Sequence, residues 1–401
     1  MSSAHNLTPG RERATILLLA AIQFTHILDF VLMMPLGPRL MDYFTIGTSE
    51  FSLLVSSYTF SAGLFGLLIG FFLDRFERKR VLLLLYTGFT IGTLACGLSP
   101  NYETLLLARI LTGIFGGVLT AVTFSIIGDI IPYERRGAAT GALMAAFSVA
   151  SVIGVPSGLY FATLWDWHAP FFILAGTSGI VLVFVWIYLI RIQPQTGPHR
   201  PRLMETVRTV LTDKNHQQAY LLMAVMMLAG FTVIPFIAPY LVFNTGMTNA
   251  ELPWVYFTGG AVTFFSSQWV GRLSDRMGKP KVFTVFALIS VVPIVAITVL
   301  PPVHLLVILT VTIIFFITVN GRIVPAMAMI TGSANPAQRG SFMAINSCIQ
   351  HLTSGLGAFL SGLIVTTLPD GKLANYGWVG LFAAVMTFIA VYIGNKMTVR
   401  G

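Results

Sequence analysis

Ionisable side chains inside long apolar segments are the residues most able to do chemistry in this chain. Asp29 is the one acid near the middle of such a segment, and Arg109 and Arg322 lie within two others. An intramembrane ionisable residue predicts a functional role, because charge is costly in lipid. His26 precedes Asp29 by three residues, which places both on nearly the same helix face. We expect this pair to relay protons or to receive a cationic substrate. The alternative is a structural ion pair between Asp29 and an arginine of another helix.

Arg322 indicates a substrate role, because the position related to it by the internal repeat described below is the uncharged Leu119. It could bind an anionic group, or it could pair with Asp29 until substrate or proton arrives. Three polar residues, Asn320, Asn346 and Gln350, are further candidates for substrate binding. Asn346 and Gln350 stand four residues apart and therefore share a helix face. Tying neighbouring helices together is the alternative for them.

These residues lie in a chain whose composition requires lipid as its solvent. Hydrophobic residues make up 55% of the 401 positions and charged residues only 10%, whereas soluble domains carry about 25% charged residues. The net charge of +9 comes from basic residues in short loops between apolar runs, which is typical of membrane proteins rather than of nucleic-acid binding. We therefore expect the bilayer as a partner and no nucleic acid. The twelve spans predicted for this all-α membrane protein are 15–41, 51–73, 81–99, 103–130, 137–164, 169–191, 218–244, 253–272, 282–300, 304–331, 340–368 and 377–396.

The distribution of Lys and Arg predicts the orientation. With the amino terminus inside, twenty of these residues fall in cytoplasmic segments and only two, Arg39 and Lys372, fall outside. An even number of spans then places both termini in the cytoplasm. The proline-rich polar stretch 193–217 predicts a cytoplasmic linker between two six-helix bundles, residues 1–192 and 218–401.

An internal repeat relates these two halves. The charged stretch Gly70 to Arg80 returns 201 residues later as Gly271 to Lys281, and Asp74 and Arg75 correspond to Asp275 and Arg276. Both copies follow a predicted span and face the same side. The arrangement is that of a parallel repeat, as in one class of transporters.

The chain resembles the major facilitator superfamily over essentially its whole length. The stretch Gly70 to Arg80 is similar to the family's signature between helices 2 and 3, and Leu105 to Gly117 is similar to that of helix 4. Gly154, Pro156 and Gly158 resemble the helix-5 signature associated with antiporters, although Val155 separates the first glycine from the proline. Asp29 followed by Pro35 also resembles drug:proton antiporters.

The resemblance implies roles for several residues. It implies that Asp74 and Asp275 latch the two halves, Asp74 near Gly340 and Ser341 and Asp275 near the start of helix 5. We expect Asp129, at the end of helix 4, to pair with Arg75 or Arg78. Plain positive-inside anchoring is the alternative for the arginines. The resemblance also links Arg109 to proton coupling and implies that Asp29, Arg109 and Arg322 share a central cavity. A partly snorkelled structural arginine is the alternative for Arg109.

The favoured hypothesis is a proton-coupled secondary transporter that exports a small, partly lipophilic drug or metabolite by alternating access. The first alternatives are an exporter of a sugar or organic anion, since segments such as Ala150 to Leu159 resemble arabinose-efflux permeases, and a proton symporter. A membrane enzyme or a sensor without transport is more distant, because we find no metal spacing, no nucleophile–base motif and no phosphate loop. We expect no cofactor, no metal, a monomer, and a location in the cell inner membrane.

Overall fold

The computed structural model describes residues 9–70, 76–131, 135–190, 212–334 and 339–397. Asp74 and Arg75 of the predicted latch lie outside the described residues, as does most of the predicted linker. Gly70 is the last residue of its helix. The helix that follows the linker begins at Lys214, within the stretch predicted as linker.

The described residues of the first half form nine α-helices and one short π-helix. In order they are α1 (Pro9–Leu32), α2 (Gly37–Phe44), α3 (Thr48–Gly70), α4 (Arg78–Gly97), α5 (Tyr102–Gly116), α6 (Leu119–Ile130), α7 (Arg136–Val149), the π-helix (Ala150–Gly154), α8 (Val155–Leu164) and α9 (Ala169–Tyr188).

In the part of the second half that the structure describes there are seven α-helices, one 3-10 turn and one small hairpin. In order they are α10 (Lys214–Val233), the 3-10 turn (Ile234–Phe236), α11 (Ile237–Thr245), α12 (Leu252–Met277), α13 (Lys279–Thr298), α14 (Leu305–Ser333), α15 (Arg339–Ile364), β1 (Thr366–Thr367), β2 (Leu373–Ala374) and α16 (Tyr376–Lys396). The two strands are antiparallel, with Thr366 opposite Ala374.

Several predicted spans are interrupted helices rather than continuous ones. The first, predicted over 15–41, breaks after Leu32 and resumes as α2, because Pro35 and Pro38 cannot donate backbone hydrogen bonds. The fourth breaks between α5 and α6 at Gly117 and Val118. Such breaks are tolerated at membrane depth where neighbouring helices cover the freed backbone groups.

The described residues contain ten helical segments long and apolar enough to cross a membrane. α12 and α15 do not belong to this group although each has 26 residues. α12 carries Arg272, Asp275 and Arg276 near its end, and α15 carries a polar face that includes Asn346, Gln350 and His351. The chain is thus a helical multi-pass membrane protein.

The predicted helix-5 motif spans the end of the π-helix and the start of α8, and it packs closely against α1. A Cβ on Gly154 would lie 2.9 Å from Leu28 Cδ1, and one on Gly158 would lie 2.7 Å from Leu32 Cδ1. The backbone N–H of Val155 bonds to the carbonyl of Ala150, which gives the wide π turn just before Pro156. The two glycines therefore allow close packing, and the proline follows a local widening of the helix.

The two halves are joined at one end, which we call the closed end, where α2 leads into α3 and α15 leads into β1. The largest cluster of buried apolar residues draws on both halves there, and the ring of Phe51 on α3 meets Phe236 at 5.7 Å. Among the described residues, each of the other three clusters contains residues of a single half. The halves therefore share a core at the closed end and have separate cores towards the opposite end.

The contact between α3 and α15 dominates the closed end. Thr48 Oγ1 donates a 2.6 Å hydrogen bond to the carbonyl of Val365, and Ser49 Oγ donates one of 3.0 Å to the carbonyl of Gly362. A Cβ on Gly362 would lie 2.0 Å from Ser52 Oγ. This close approach is possible only because position 362 carries no side chain.

We predict that Gly362→Ala opens the closed end. Overpacking a tight contact costs about 1–3 kcal/mol, which shifts a two-state equilibrium roughly five- to more than a hundredfold. Spin labels attached to Glu50→Cys and Thr367→Cys report the separation of the two halves by double electron–electron resonance. The native Cys96 and Cys348 are buried, so the labels react with the introduced cysteines. The distance should lengthen in the Gly362→Ala protein.

Gly176→Ala on α9 is the matched control, because a Cβ at Gly176 meets no atom within 4 Å. It should leave the distance unchanged. An unchanged distance in both variants would contradict the role assigned to Gly362.

Candidate functional site

Asp29 and Arg109 form an ion pair in the interior of the first half. Arg109 Nη1 lies 2.7 Å from Asp29 Oδ2, and both side chains are 0% exposed. Thr93 Oγ1 on α4 donates a 3.1 Å hydrogen bond to Asp29 Oδ1. Each carboxylate oxygen thus has a donor, from α5 in one case and from α4 in the other. The alternative stated for Asp29, pairing with an arginine of another helix, is present.

The guanidinium of Arg109 is enclosed rather than snorkelled towards the membrane surface. Its Cζ lies 4.6 Å from the centre of the Tyr58 ring on α3, a cation–π contact. Nε and Nη2 have no hydrogen-bond partner among the described residues. Among the described residues, Asp29 is therefore the main partner of the Arg109 guanidinium, and the Tyr58 ring covers one face of it.

His26 does not hydrogen-bond to Asp29 in this structure, and the proton relay expected for the pair stays a prediction. The Asp29 oxygens are occupied by Arg109 and Thr93. Both ring nitrogens of His26 lack a hydrogen-bond partner among the described residues. The ring instead lies 6.0 Å from that of Phe89 on α4.

Arg322 lies in the second half, away from Asp29. Its Nη1 donates to Thr387 Oγ1 on α16 at 2.7 Å and to Ser290 Oγ on α13 at 3.3 Å. The side chain is 3% exposed and forms no ion pair with any described residue. The hypothesis that Arg322 pairs with Asp29 is therefore wrong here, because each is held by partners within its own half. Asp29, Arg109 and Arg322 are all buried in this structure, and the single cavity expected for them stays a prediction.

The other candidate substrate residues have different surroundings. Asn320 Nδ2 donates to Ser267 Oγ on α12 at 2.6 Å, which ties two helices of the second half together. Asn346 is 1% exposed, and its Oδ1 has no hydrogen-bond partner among the described residues. Gln350 is half-buried, and its backbone carbonyl accepts from Ser354 Oγ. Asn346 and Gln350 remain candidates, whereas the Asn320 amide is already engaged.

One of the predicted gate contacts is present at the opposite end. Arg78 Nε lies 3.1 Å from Asp129 Oδ2, which joins the start of α4 to the end of α6. In the second half Asp275 and Arg276 are exposed at the end of α12, together with the half-buried Gly271. Asp275 forms no ion pair within the described part of the chain, so its predicted contact with the start of helix 5 is not seen.

Sequence reasoning missed the polar groups that complete these contacts. Thr93 and Tyr58 hold the Asp29–Arg109 pair, and Ser290 and Thr387 hold Arg322. Hydroxyl groups in apolar helices usually bond to their own backbone, and Thr387 Oγ1 does so as well. No spacing rule distinguishes a hydroxyl that also binds a charged group.

Comparison with known proteins agrees with this fold. The family model of the Major Facilitator Superfamily matches residues 19–317 and 219–397. An uncharacterized MFS-type transporter of Bacillus subtilis (strain 168), YceJ, is 23% identical over 383 residues, which cover 95% of each chain. A probable sugar efflux transporter of Helicobacter pylori (strain ATCC 700392 / 26695) is 22% identical over 253 residues, 62% of each chain.

A solved structure shares the fold. It is the crystal structure of a bacterial homologue of the human lysosomal transporter Spinster, in an inward-facing and unoccupied conformation. The TM-score is 0.79 at 18% sequence identity, over 98% of this chain and 99% of the other. These similarities place the chain among transporters and not among enzymes. Since the family model covers both halves, the protein belongs to the Major Facilitator Superfamily.

Proposed function

We propose that this protein is a proton-coupled secondary transporter that exports a small, partly lipophilic compound by alternating access. The buried Asp29–Arg109 pair carries the proposal. A carboxylate in lipid surroundings needs its counter-charge, and a proton can replace that counter-charge. The pair thus has two states, one with Asp29 ionised and one with Asp29 protonated.

The proposed topology has twelve spans, with α12 and α15 added to the ten most apolar segments. Both termini are cytoplasmic, as the excess of Lys and Arg in the corresponding loops predicts. The domains are the six-span bundles 1–192 and 218–401, joined by the linker 193–217. We place the protein in the cell inner membrane as a monomer.

With this orientation the closed end faces outwards, and the structure corresponds to an inward-facing state. The shared core and the α3–α15 contact block the outer side. Arg78 and Asp129 lie at the cytoplasmic end, where the halves have separate cores. We assign the gating role to these residues together with Gly70, Asp74, Arg75, Gly271, Asp275 and Arg276.

A chain of aromatic contacts connects the ion pair to the interface between the halves. Arg109 lies on the Tyr58 ring, Tyr58 stacks on Phe30 at 5.3 Å, and Phe30 stacks on Phe231 of α10 at 5.8 Å. Protonation of Asp29 removes the charge that fixes the position of Arg109. A shift of the guanidinium would move Tyr58, and through Phe30 it would alter the contact with the second half. Proton binding can in this way bias alternating access.

We predict that Asp29→Asn abolishes efflux driven by a proton gradient, because asparagine cannot bind and release a proton. Substrate exchange without a gradient should persist, because the Asp29 side chain is enclosed within the first half. The measurement is transport in proteoliposomes with and without an imposed pH gradient. Gradient-driven efflux at the wild-type rate would refute the proton role of Asp29.

Asp129→Asn is the matched control, since it removes the acid from another ion pair of the first half, the one with Arg78. It should slow transport but keep its dependence on the proton gradient. The comparison separates the loss of a proton site from the loss of an ion pair.

We further predict that Arg109→Gln is more destabilising alone than together with Asp29→Asn. Removing one partner of a buried ion pair leaves an uncompensated charge and costs about 3–5 kcal/mol, whereas neutralising both avoids that penalty. Thermal unfolding of the two single variants and of the double variant in one detergent tests this. Additive losses in the double variant would show that the two charges do not depend on each other.

Export of an organic anion or a sugar is the second candidate function. Arg322 favours an anion, because a buried guanidinium without an acidic partner among the described residues can bind an anionic group. The Helicobacter pylori relative is named a probable sugar efflux transporter, which supports export in general and sugars in particular.

We predict that, under this second candidate, Arg322→Gln weakens transport of anions roughly ten- to a hundredfold, the equivalent of one hydrogen bond to a charged group. Transport of uncharged compounds should change little. Arg39→Gln is the control, because Arg39 donates to Thr163 near the closed end, remote from Arg322 in the other half. A panel of anionic and neutral compounds in the same efflux assay decides between the candidates, and equal effects on both classes would exclude anion recognition by Arg322.

A further inference from the structure

The two copies of the charged repeat differ in how their basic residues are paired. In the first copy Arg78 Nε lies 3.1 Å from Asp129 Oδ2, and Arg80 Nε lies 2.8 Å from Glu77 Oε2. The second copy has four basic residues that form no ion pair within the described part of the chain: Arg272, Arg276, Lys279 and Lys281. The repeat thus duplicates the cations but not their pairing.

The acids that pair with the first copy have no counterparts in the second. Glu77 corresponds to Gly278, 201 residues later. Asp129 has no acidic counterpart either, because positions 330–332, which lie 201 to 203 residues after it, are isoleucine, threonine and glycine. The missing partners are therefore a property of the sequence and do not depend on side-chain placement.

The second copy consequently carries an excess of positive charge at the end of α12. Asp275 is the one acid between positions 272 and 281, so four basic residues stand against one acidic residue. The Asp275 side chain is exposed. Basic residues at the end of a membrane span attract anionic lipid headgroups, and the attraction grows with each Lys or Arg.

An apolar stripe on α12 leads directly to two of these basic residues. Four exposed residues follow one another at spacings of four, three and four positions: Phe265, Trp269, Arg272 and Arg276. Such spacings place them on one helix face. The Phe265 side chain is 71% exposed and that of Trp269 is 58% exposed. Gly260 lies on the opposite face of α12, where a Cβ would lie 2.6 Å from the π-helix backbone of the first half. The stripe therefore faces away from the interface between the halves, towards lipid.

The start of α13 adds the two lysines to the same surface. One residue, Gly278, separates α12 from α13, and its φ of 91° makes the turn sharp. Lys279 and Lys281 therefore begin α13 close to the arginines that end α12. Below the turn, the ring of Trp269 meets that of Phe286 on α13 at 6.2 Å, edge to face. Basic groups of two adjacent helices thus lie above an exposed aromatic surface.

We propose that the end of α12 and the start of α13 bind an anionic phospholipid. The phosphate contacts the arginines of α12 and the lysines of α13, and an acyl chain lies along Phe265 and Trp269. A soluble anion would use the basic residues but not the aromatic stripe, which favours a lipid over free phosphate. The lipid belongs to the leaflet at the end opposite the closed end, the cytoplasmic leaflet in the proposed topology. The inference depends neither on the substrate nor on proton coupling.

The chain carries both a reporter and an internal control for this site. Trp269 lies beside the basic residues, whereas Trp254, 57% exposed, lies five turns before Arg272 on the same side of α12. The full chain is reconstituted in phosphatidylcholine vesicles, in which phosphatidylglycerol or phosphatidylcholine with brominated acyl chains replaces part of the lipid. Bromine quenches tryptophan emission. The contribution of each tryptophan is the difference between the parent protein and Trp269→Phe or Trp254→Phe.

We expect brominated phosphatidylglycerol to quench Trp269 at roughly one twentieth of the mole fraction that brominated phosphatidylcholine requires. Each Lys or Arg near the membrane surface contributes about fivefold in binding, so two of them account for this preference. Trp254 should show no preference between the two lipids. An equal response of Trp269 to both lipids, or the same preference at Trp254, would overturn the proposal.

Variants assign the preference to the basic residues. Arg272→Gln combined with Lys281→Gln removes two exposed cations that are not part of the proposed gate, and it should lower the preference of Trp269 about fivefold for each. Arg80→Gln is the matched control, because Arg80 stands at the position equivalent to Lys281 but is paired with Glu77. It should leave the preference unchanged. A preference that persists in the double variant would refute the site.

A competition experiment separates the lipid from a soluble anion. Inorganic phosphate replaces chloride at constant ionic strength, so that general screening of charge stays the same. The preference of Trp269 for phosphatidylglycerol should persist, because free phosphate does not gain the contacts with the aromatic stripe. Loss of the preference would show that the basic residues take a soluble anion, and the assignment to a lipid would be wrong.

Discussion

The buried ion pair between Asp29 and Arg109 is the interaction on which the first half depends. Both charges are 0% exposed, and each has essentially one counter-charge, the other. In lipid surroundings neither can be left alone without a penalty of several kcal/mol. The pair therefore fixes α1 against α5, with α4 held through Thr93 and α3 through the Tyr58 ring. Four helices of this half meet at one neutral pair of opposite charges.

Small residues set the second constraint, because the two halves can meet only where side chains leave room. Gly362 and Gly355 bring α15 against Ser52 and Thr59 of α3. Hydrogen bonds from Thr48 and Ser49 to the carbonyls of α15 and its end then form without bulky side chains between the helices. Interfaces of this type are stabilised by close packing rather than by the removal of apolar surface from water, since lipid already solvates apolar groups. They can thus separate and re-form at modest cost.

Much of the architecture could be predicted from the sequence, because composition, loop charges and the repeat at 201 residues each constrain it. The Arg78–Asp129 contact was foreseen, since an acid and a base at adjacent helix ends have few other partners. The surroundings of Arg322 could not be predicted, because its hydroxyl partners, Ser290 and Thr387, follow no recognisable spacing in the sequence. The breaks in the spans were also missed as such, since hydropathy averages over a proline or glycine. Contacts between distant helices depend on rotation about the helix axis, which a sequence pattern defines only coarsely.

Tyr58 gives the proposed mechanism a physical link that the sequence did not suggest. Its ring contacts the Arg109 guanidinium and the Phe30 ring, and its hydroxyl packs tightly against Gly116. Proton and substrate need not compete for one carboxylate, as a shared cavity would require. We infer that a proton on Asp29 acts on the ring face of Tyr58 through Arg109. Because the same ring is stacked through Phe30 onto Phe231 of the second half, protonation of Asp29 would bias one contact between the halves. In this proposal, coupling arises from one chain of side-chain contacts that reaches from the ion pair to the second half.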